Sequence, residues 1–429
     1  MAKMARSRRG FLGGGPSFRV GRLGCGRRRA PRGFDPGGPL PLDDDEQEYV
    51  AEALTGLERE KIWDTHVHIV GMGHAGTGCW VHPDAMSHWH PLRRLRFEIY
   101  LQAAGVSDLA RADELYVARL LELFRLANPK GKLLALAFDY AVDASGKETP
   151  ELSEFHTPNA YVLRLAKEHP EFVPCASVHP YRKDASERLR QVAQDGAVAI
   201  KWLPNAMGID PMEARCDAFY KTLQELSLPL ITHAGEEKAV EVSGWQELGN
   251  PLRLRRALDL GVRVVVAHCA SLGEVDDLDS GPGHRVSAFA AFMRLFTDKR
   301  YKETLFADIS AMTQFSRSGR PLREILLSKD LHSRLLYGSD YPLPAIDPLV
   351  STRLLERDGY LTAEDREMCN RLYRKNPLLF DLVLKRRLRV EHMNATHAFS
   401  PTVFQTADFF APPILELDAP PPTPAPPAP

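Results

Sequence analysis

The chain has 429 residues, a formal net charge of −1 at pH 7 and 44% hydrophobic residues, which is an ordinary globular composition. The near-neutral charge argues against a nucleic-acid-binding protein, which should present a basic face. No apolar run reaches the roughly 18 residues that a transmembrane segment needs. The six cysteines form no CxxC pair, so neither a disulfide framework nor a zinc ribbon is predicted.

The two ends of the chain differ in composition from the middle. Residues 1–45 are rich in Arg and Gly without helical or strand periodicity, which predicts a basic, disordered leader. Within it, SRRGFL (7–12) resembles a twin-arginine export signal, but the apolar segment that must follow such a signal is missing. We expect a cytoplasmic protein by default, with periplasmic export as the alternative. Residues 396–429 are predicted to form a proline-rich tail.

In the middle of the chain, short apolar runs alternate with amphipathic segments that have helix-capping residues. The eight runs cover residues 61–68, 133–142, 172–180, 197–204, 228–235, 262–270, 305–312 and 334–342. This alternation predicts βαβ units with a parallel sheet, and eight such runs predict a distorted (β/α)8 TIM barrel over residues 46–395. An open doubly wound sheet is the alternative, although no GxGxxG motif follows the first run to support a dinucleotide fold.

A long insertion separates the first two runs. It contains the loop 71–91 and helices predicted around 92–105 and 112–128. Insertions after a barrel strand lie over the active face, so this segment is predicted to form a lid over the substrate.

Polar residues of the metal-ligating type follow the apolar part of most runs. They are His66 and His68 in DTHVH, His179, Lys201, His233, His268 and Asp340. A single histidine at a strand end is usually a hydrogen-bonded core residue, but in a barrel all these ends meet at one mouth. Because imidazole and carboxylate groups suit zinc or a similar divalent ion, the pattern predicts a metal site.

Alternation along a strand also predicts which neighbours share the inward face with these residues. The expected inward sets are His233 with Ile231 and Pro229, His268 with Val266 and Val264, and Asp340 with Gly338 and Leu336.

Three further residues are predicted to contact substrate. His179 and Arg182 leave the third run at the predicted mouth, where Arg182 could hold a substrate carboxylate. Glu236 and Glu237 lie three and four residues after His233, and one of them, assigned as Glu236, is predicted to support a metal ligand or to face the substrate, with a solvated loop pair as the alternative.

Five motifs, DTHVH, AIKWLP, ITHAGE, VVAHCA and YGSDYP, together resemble the amidohydrolase superfamily. The likeness is closest to its amidohydrolase-related branch and covers roughly residues 60–385. It implies a distorted barrel with one or two divalent metals. By this resemblance His66, His68 and Asp340 hold a first metal, while His233 and His268 hold a second that a carboxylated Lys201 bridges.

The resemblance also implies a one-metal form, in which His268 touches the substrate or polarises the water. A free ammonium group cannot ligate a metal and is costly to bury, so an uncarboxylated Lys201 would instead bind an anionic substrate group. We favour the two-metal form, with zinc as the expected ion and manganese or iron as alternatives.

The predicted activity follows from the metal. A bound metal lowers the pKa of water, and Asp340 can take up and return a proton, so Asp340 and His268 are the predicted catalytic residues. We expect a hydrolase of an amide, lactone or ester in a small molecule, and allow for a homo-oligomer. The alternative is a metal-dependent nonoxidative decarboxylase of a small unsaturated acid.

Overall fold

A computed structural model describes residues 39–127, 131–240, 244–281, 283–347 and 349–410. Its main sheet has eight parallel strands that neighbour one another in chain order. They are β1 (Trp63–His68), β2 (Lys132–Leu136), β3 (Phe172–Ala176), β4 (Ala199–Trp202), β5 (Leu230–Thr232), β6 (Val264–Val266), β7 (Leu305–Asp308) and β8 (Leu335–Leu336). A parallel bridge between Val67 and Tyr341 joins the last strand region to the first. The predicted (β/α)8 barrel is therefore confirmed, and the open sheet is excluded.

Helices alternate with the strands, and most of them cover the outside of the barrel. They are α1 (Asp44–Ala53), α2 (Pro91–Ala103), α3 (Ala112–Ala127), α4 (Asn159–Glu168), α5 (Ala185–Gln194), α6 (Pro204–Met207), α7 (Asp217–Glu225), α8 (Arg255–Asp259), α9 (Ala288–Phe296), α10 (Arg320–Leu327), α11 (Thr352–Arg357), α12 (Ala363–Lys375), α13 (Pro377–Arg387) and α14 (Ala407–Phe410). Short antiparallel pairs join Trp80–Val81 to Phe155–His156, Glu274–Asp276 to Arg285–Ser287, and Val390–His392 to Ala395–His397.

One cluster of small and branched side chains fills the inside of the barrel. It includes Leu134, Cys175, Ala199, Ile231, Val265 and Leu336. Two-residue spacing from this layer leads to Lys201 and His233, as strand alternation requires. Asp340 lies four residues beyond Leu336, past the end of β8, where its φ is 63°. The predicted inward neighbours Ile231 and Leu336 are confirmed.

The prediction for the sixth strand was wrong. Val264 and Val266 pack in the cluster between the strands and the outer helices, and Val265 is the residue that points inward. His268 nevertheless reaches the site because the backbone leaves the strand there, with φ of 39° at His268 and 52° at Cys269. Such left-handed conformations are uncommon for residues other than glycine, and alternation cannot anticipate them.

The insertion after β1 forms α2 and α3, close to the predicted bounds. Helix α3 packs on the barrel, with Leu120 and Leu123 fully buried, whereas Ala103 is the residue of α2 that is buried. Asp113 on α3 accepts hydrogen bonds from the backbone of Met72 and Gly73 and so holds the loop that follows β1.

The folded part of the chain extends into the predicted C-terminal tail. Residues 396–410 pack on the barrel, with Phe404 fully buried and the Phe410 ring stacked on Trp63 at 6.0 Å. The rest of the tail and most of the predicted leader, including SRRGFL, lie outside the described residues. None of the helices in the described part of the chain has the length and apolar character to span a bilayer.

Candidate metal centre

Three of the predicted metal ligands converge at the mouth of the barrel. The ligand atoms of His66, His68 and Asp340 all lie within 4.8 Å of one another. Asp340 Oδ1 is 3.2 Å from His68 Nε2 and 3.7 Å from His66 Nε2. His66 and His68 come from the same face of β1, and Asp340 approaches from the chain beyond β8.

Asp308, at the end of β7, orients the first of these ligands. Its Oδ2 lies 2.9 Å from His66 Nδ1, and both side chains are buried. Because Nδ1 is occupied by this contact, Nε2 is the nitrogen turned toward Asp340. A carboxylate behind a ligating imidazole is the usual support of a metal ligand. Two imidazole nitrogens and a carboxylate oxygen, held in this way, fit a zinc, manganese or iron ion.

The two carboxylates of the site are kept ionised by their neighbours. Burial alone would raise the pKa of Asp340, but the interactions with His66 and His68 hold it below its ordinary value. Burial likewise opposes the charged form of Asp308, and His66 and Ser310 hold its pKa below the ordinary value. Both groups are therefore anionic at neutral pH, as a cation site requires.

Lys201 is almost fully buried beside the same histidine. Its Nζ lies 3.3 Å from His66 Nε2. Burial lowers the pKa of its ammonium group, although Asp308 and Asp340 oppose the shift. The predicted position of Lys201 at the mouth is thus found, next to the three clustered ligands.

His233 and His268 form a second, adjoining pair. His268 Nε2 lies 3.0 Å from His233 Nδ1. The other nitrogen of His268, Nδ1, lies 3.2 Å from Arg317 Nη1. A guanidinium group can only donate, so His268 Nδ1 accepts and its Nε2 carries the hydrogen that faces His233. In this arrangement both nitrogens of His268 have protein partners.

Glu237 is close to the same pair of histidines. Its Oε2 lies 3.3 Å from His233 Nδ1, and burial raises the pKa of its carboxyl group. His233 Nε2 is buried and has no hydrogen-bond partner among the described residues. That atom is available to a group bound in the cavity.

A cavity of about 400 Å³ opens over these residues. Its polar floor includes the three clustered ligands, Lys201, His233, Glu237, His268 and Arg317. Its upper wall is largely apolar and includes Phe97, Tyr100 and Leu101 of α2 together with Phe155, Phe315, Leu343 and Leu349. The inserted helix α2 thus borders the cavity, as the predicted lid would. The volume suits a small molecule.

Three residues predicted to contact substrate do not line this cavity. Arg182 instead pairs with Asp139 through two hydrogen bonds of 2.6 and 2.8 Å and with Glu148 at 2.8 Å. The His179 ring bonds to the carbonyl of Met207 at 2.9 Å. Glu236 is partly exposed and pairs with Lys238 at 3.3 Å. Sequence position alone could not show that the next residue, Glu237, is the one turned inward.

Arg317 was not anticipated from the sequence. It lies in the loop between β7 and α10, within the segment TQFSRSGR, which matches no catalytic motif. Its burial and its contact with His268 depend on the fold of that loop, so no local pattern could have revealed it.

The family model for amidohydrolases matches residues 63–378, which is most of the chain. The match spans β1 to the start of α13 and therefore contains every residue of the candidate site. The chain thus belongs to the amidohydrolase family, and it is an enzyme of that type.

A search of curated proteins gave no significant match. Among solved structures, 5-carboxyvanillate decarboxylase from Novosphingobium aromaticivorans with manganese bound is 13% identical, with 82% of this chain and 97% of that chain covered and a TM-score of 0.43. 4-Oxalomesaconate hydratase from Rhodopseudomonas palustris is 16% identical, with 76% of this chain and 98% of that chain covered and a TM-score of 0.38. A candidate 2-pyrone-4,6-dicarboxylic acid hydrolase from Pseudomonas putida is 14% identical, with 75% of this chain and 97% of that chain covered and a TM-score of 0.38. At these values the similarities do not bear on the activity of this chain.

Proposed function

We propose that this enzyme is a metal-dependent hydrolase that splits an amide, lactone or ester bond of a small molecule. The observation that carries the proposal is the cluster of His66, His68 and Asp340 at the floor of the cavity, with Asp308 behind His66. A divalent ion held there, with zinc as the first candidate, would lower the pKa of water and polarise a carbonyl group.

The residues of the chain supply the proton transfers in this proposal. Asp340 is ionised and buried at the cavity floor, so it can accept a proton from an attacking water and pass it to the leaving nitrogen or oxygen. The buried Nε2 of His233 lies on the adjoining wall without a partner among the described residues, where it can orient a substrate oxygen. One water is consumed, and a carboxylic acid and an amine or alcohol are released.

A nonoxidative decarboxylase is the second candidate. The contacts of His268 with Arg317 and His233 engage both its ring nitrogens, which supports a site for one ion rather than two. Lys201 would then remain a cation and face a substrate carboxylate. The resemblance to the amidohydrolase-related branch implies one metal for its decarboxylases, so a one-ion site favours decarboxylation.

Replacement of Lys201 by alanine separates these forms. If a carboxylated Lys201 bridges two ions, K201A should lose one metal equivalent relative to the wild type. If Lys201 binds substrate, K201A should keep its metal and lose turnover of anionic substrates. The measurement is metal content by elemental analysis of wild type and variant, beside assays for CO2 release and for hydrolysis products. Activity that survives both exhaustive chelation and H66A would refute a metal-dependent reaction of either kind.

A further inference from the structure

Like Arg334 and unlike Arg182, the buried Arg317 has no carboxylate partner in the described part of the chain, but Arg317 lines the cavity and Arg334 does not. Arg182 pairs with two carboxylates, and Arg334 donates to the backbone carbonyls of Leu305 and Phe296. Arg317 is only 8% exposed, yet its hydrogen bonds go to two neutral groups, His268 Nδ1 and Ser271 Oγ, each at 3.2 Å. Among the described residues, no carboxylate oxygen lies within 4.0 Å of its side-chain nitrogens.

The Nε atom of Arg317 is buried and has no hydrogen-bond partner among the described residues. A buried cation with no carboxylate in direct contact and with an unused donor is energetically costly, since Glu237, Asp340 and Asp308 act on it only from beyond salt-bridge distance. The guanidinium lines the cavity, so an anion bound there would relieve this cost.

The remaining wall of the cavity indicates the rest of the ligand. Phe155, Phe315, Leu343 and Leu349 supply much of it, and Arg93, Arg96, Glu154 and Lys238 also border the cavity. The four apolar side chains favour a flat or branched apolar body in the ligand. The lining therefore suits a ligand that combines an anionic group with an apolar body.

We propose that Arg317 is a specificity-determining residue that binds a carboxylate of the substrate, and that the substrate is an acid with an aromatic or otherwise apolar body. The proposal rests on the proposed function, because it concerns the same cavity. Arg317 forms planar, paired hydrogen bonds to such a group, and Ser271 and His268 hold the guanidinium in place.

Binding of benzoate and of its neutral analogue benzamide, measured by calorimetry, tests this proposal without turnover. The wild type as purified should bind benzoate the more tightly, by about 10- to 100-fold, the range expected for hydrogen bonds to a charged group. R317Q should lose most of this preference, and R317K should retain part of it. R182Q is the matched control, because it removes a buried arginine outside the cavity and should keep the full preference.

Each alternative result has a definite reading. A wild type that binds both compounds equally, or an R317Q variant that keeps the preference, overturns the proposal. Loss of the preference in R182Q as well as R317Q also overturns it. Loss on chelation of the wild type would assign the carboxylate to the metal instead of Arg317. If R317Q does not fold, R317K is compared with the wild type instead, and an R317K variant that keeps the full preference for benzoate overturns the proposal. Because no step requires catalysis, the result stands apart from failure of the hydrolase proposal.

Discussion

Asp308 connects the two halves of the candidate site through both of its carboxylate oxygens. Oδ2 contacts His66 Nδ1, while Oδ1 accepts hydrogen bonds from the backbone N–H of His268 at 2.7 Å and of Ser310 at 3.0 Å. The same side chain therefore orients His66, one of the three candidate metal ligands, and holds the left-handed backbone at His268. Its contribution is to position other residues, since it does not line the cavity.

Replacement of Asp308 by asparagine should weaken metal binding. The amide can keep the bond to the backbone of His268, but its NH2 group would then donate to His66 Nδ1 and place the ring hydrogen on Nε2. That tautomer cannot ligate, so we expect metal affinity to fall by about 10- to 100-fold. Competition with a chromophoric chelator measures the change. S310A removes a hydrogen bond to the same carboxylate but keeps its charge, so it should lower the affinity less than D308N does, and an unchanged affinity in D308N would contradict this role.

At the scale of elements, the chain beyond β8 completes the barrel although β8 itself has only two residues. Thr65 donates its backbone N–H to Tyr337, His68 donates to Tyr341, and Asp340 donates to His66, at 2.9 to 3.1 Å. This segment therefore continues beside β1 and brings Asp340 against the two histidines. Gly338 lies at the closest approach, where a Cβ would meet the Cβ of His66 at 2.8 Å.

G338A should accordingly be destabilising and should disturb the metal centre. The added methyl group cannot be accommodated without moving His66, and overpacking of this kind costs about 1–3 kcal/mol. We expect a lower denaturant midpoint and a lower metal content. G319A is the matched control, because a Cβ at Gly319 would meet nothing within 4 Å. Equal stability of the two variants would show that the segment can shift freely.

At the scale of the whole molecule, the C-terminal segment supports the strands that carry the site. Tyr337 donates its backbone N–H to Val403 at 2.7 Å, and the Tyr337 and Phe404 rings lie 5.6 Å apart. Phe410 belongs to the cluster inside the barrel and stacks on Trp63 at the start of β1. The segment therefore packs against both strands whose ends supply the clustered ligands.

Truncation of Phe404 to alanine should cost about 3–5 kcal/mol of unfolding free energy, as for a large side chain removed from a packed core. Phe404 is fully buried. M393A is the control in the same region, because Met393 is 85% exposed and should change stability little. Urea unfolding of both variants checks the prediction, and a loss below about 1 kcal/mol in F404A would mean that the segment is not part of the core.

The sequence by itself determined the barrel, the family and the residues that reach the mouth. These features can be read from short stretches of sequence. Apolar runs and capping residues mark the strands and helices, and the ends of the runs carry His66, His68, Lys201, His233 and Asp340. The tertiary structure decided which of them meet and what supports them. From the sequence, Asp308 could have been an ordinary strand residue, and Arg317 lies in a loop without a motif. Arg182 was predicted to contact substrate, but in the structure it pairs with Asp139.

The reason for this division is physical. Periodicity fixes the face of a strand on which a side chain lies, but it carries no information on partners distant in sequence. It also fails where the backbone departs from regular geometry, as it does at His268. The ion pairs and hydrogen bonds that distinguish a support from a ligand or a substrate contact join residues that are tens to hundreds of positions apart. They exist only once the barrel has closed and brought those residues together.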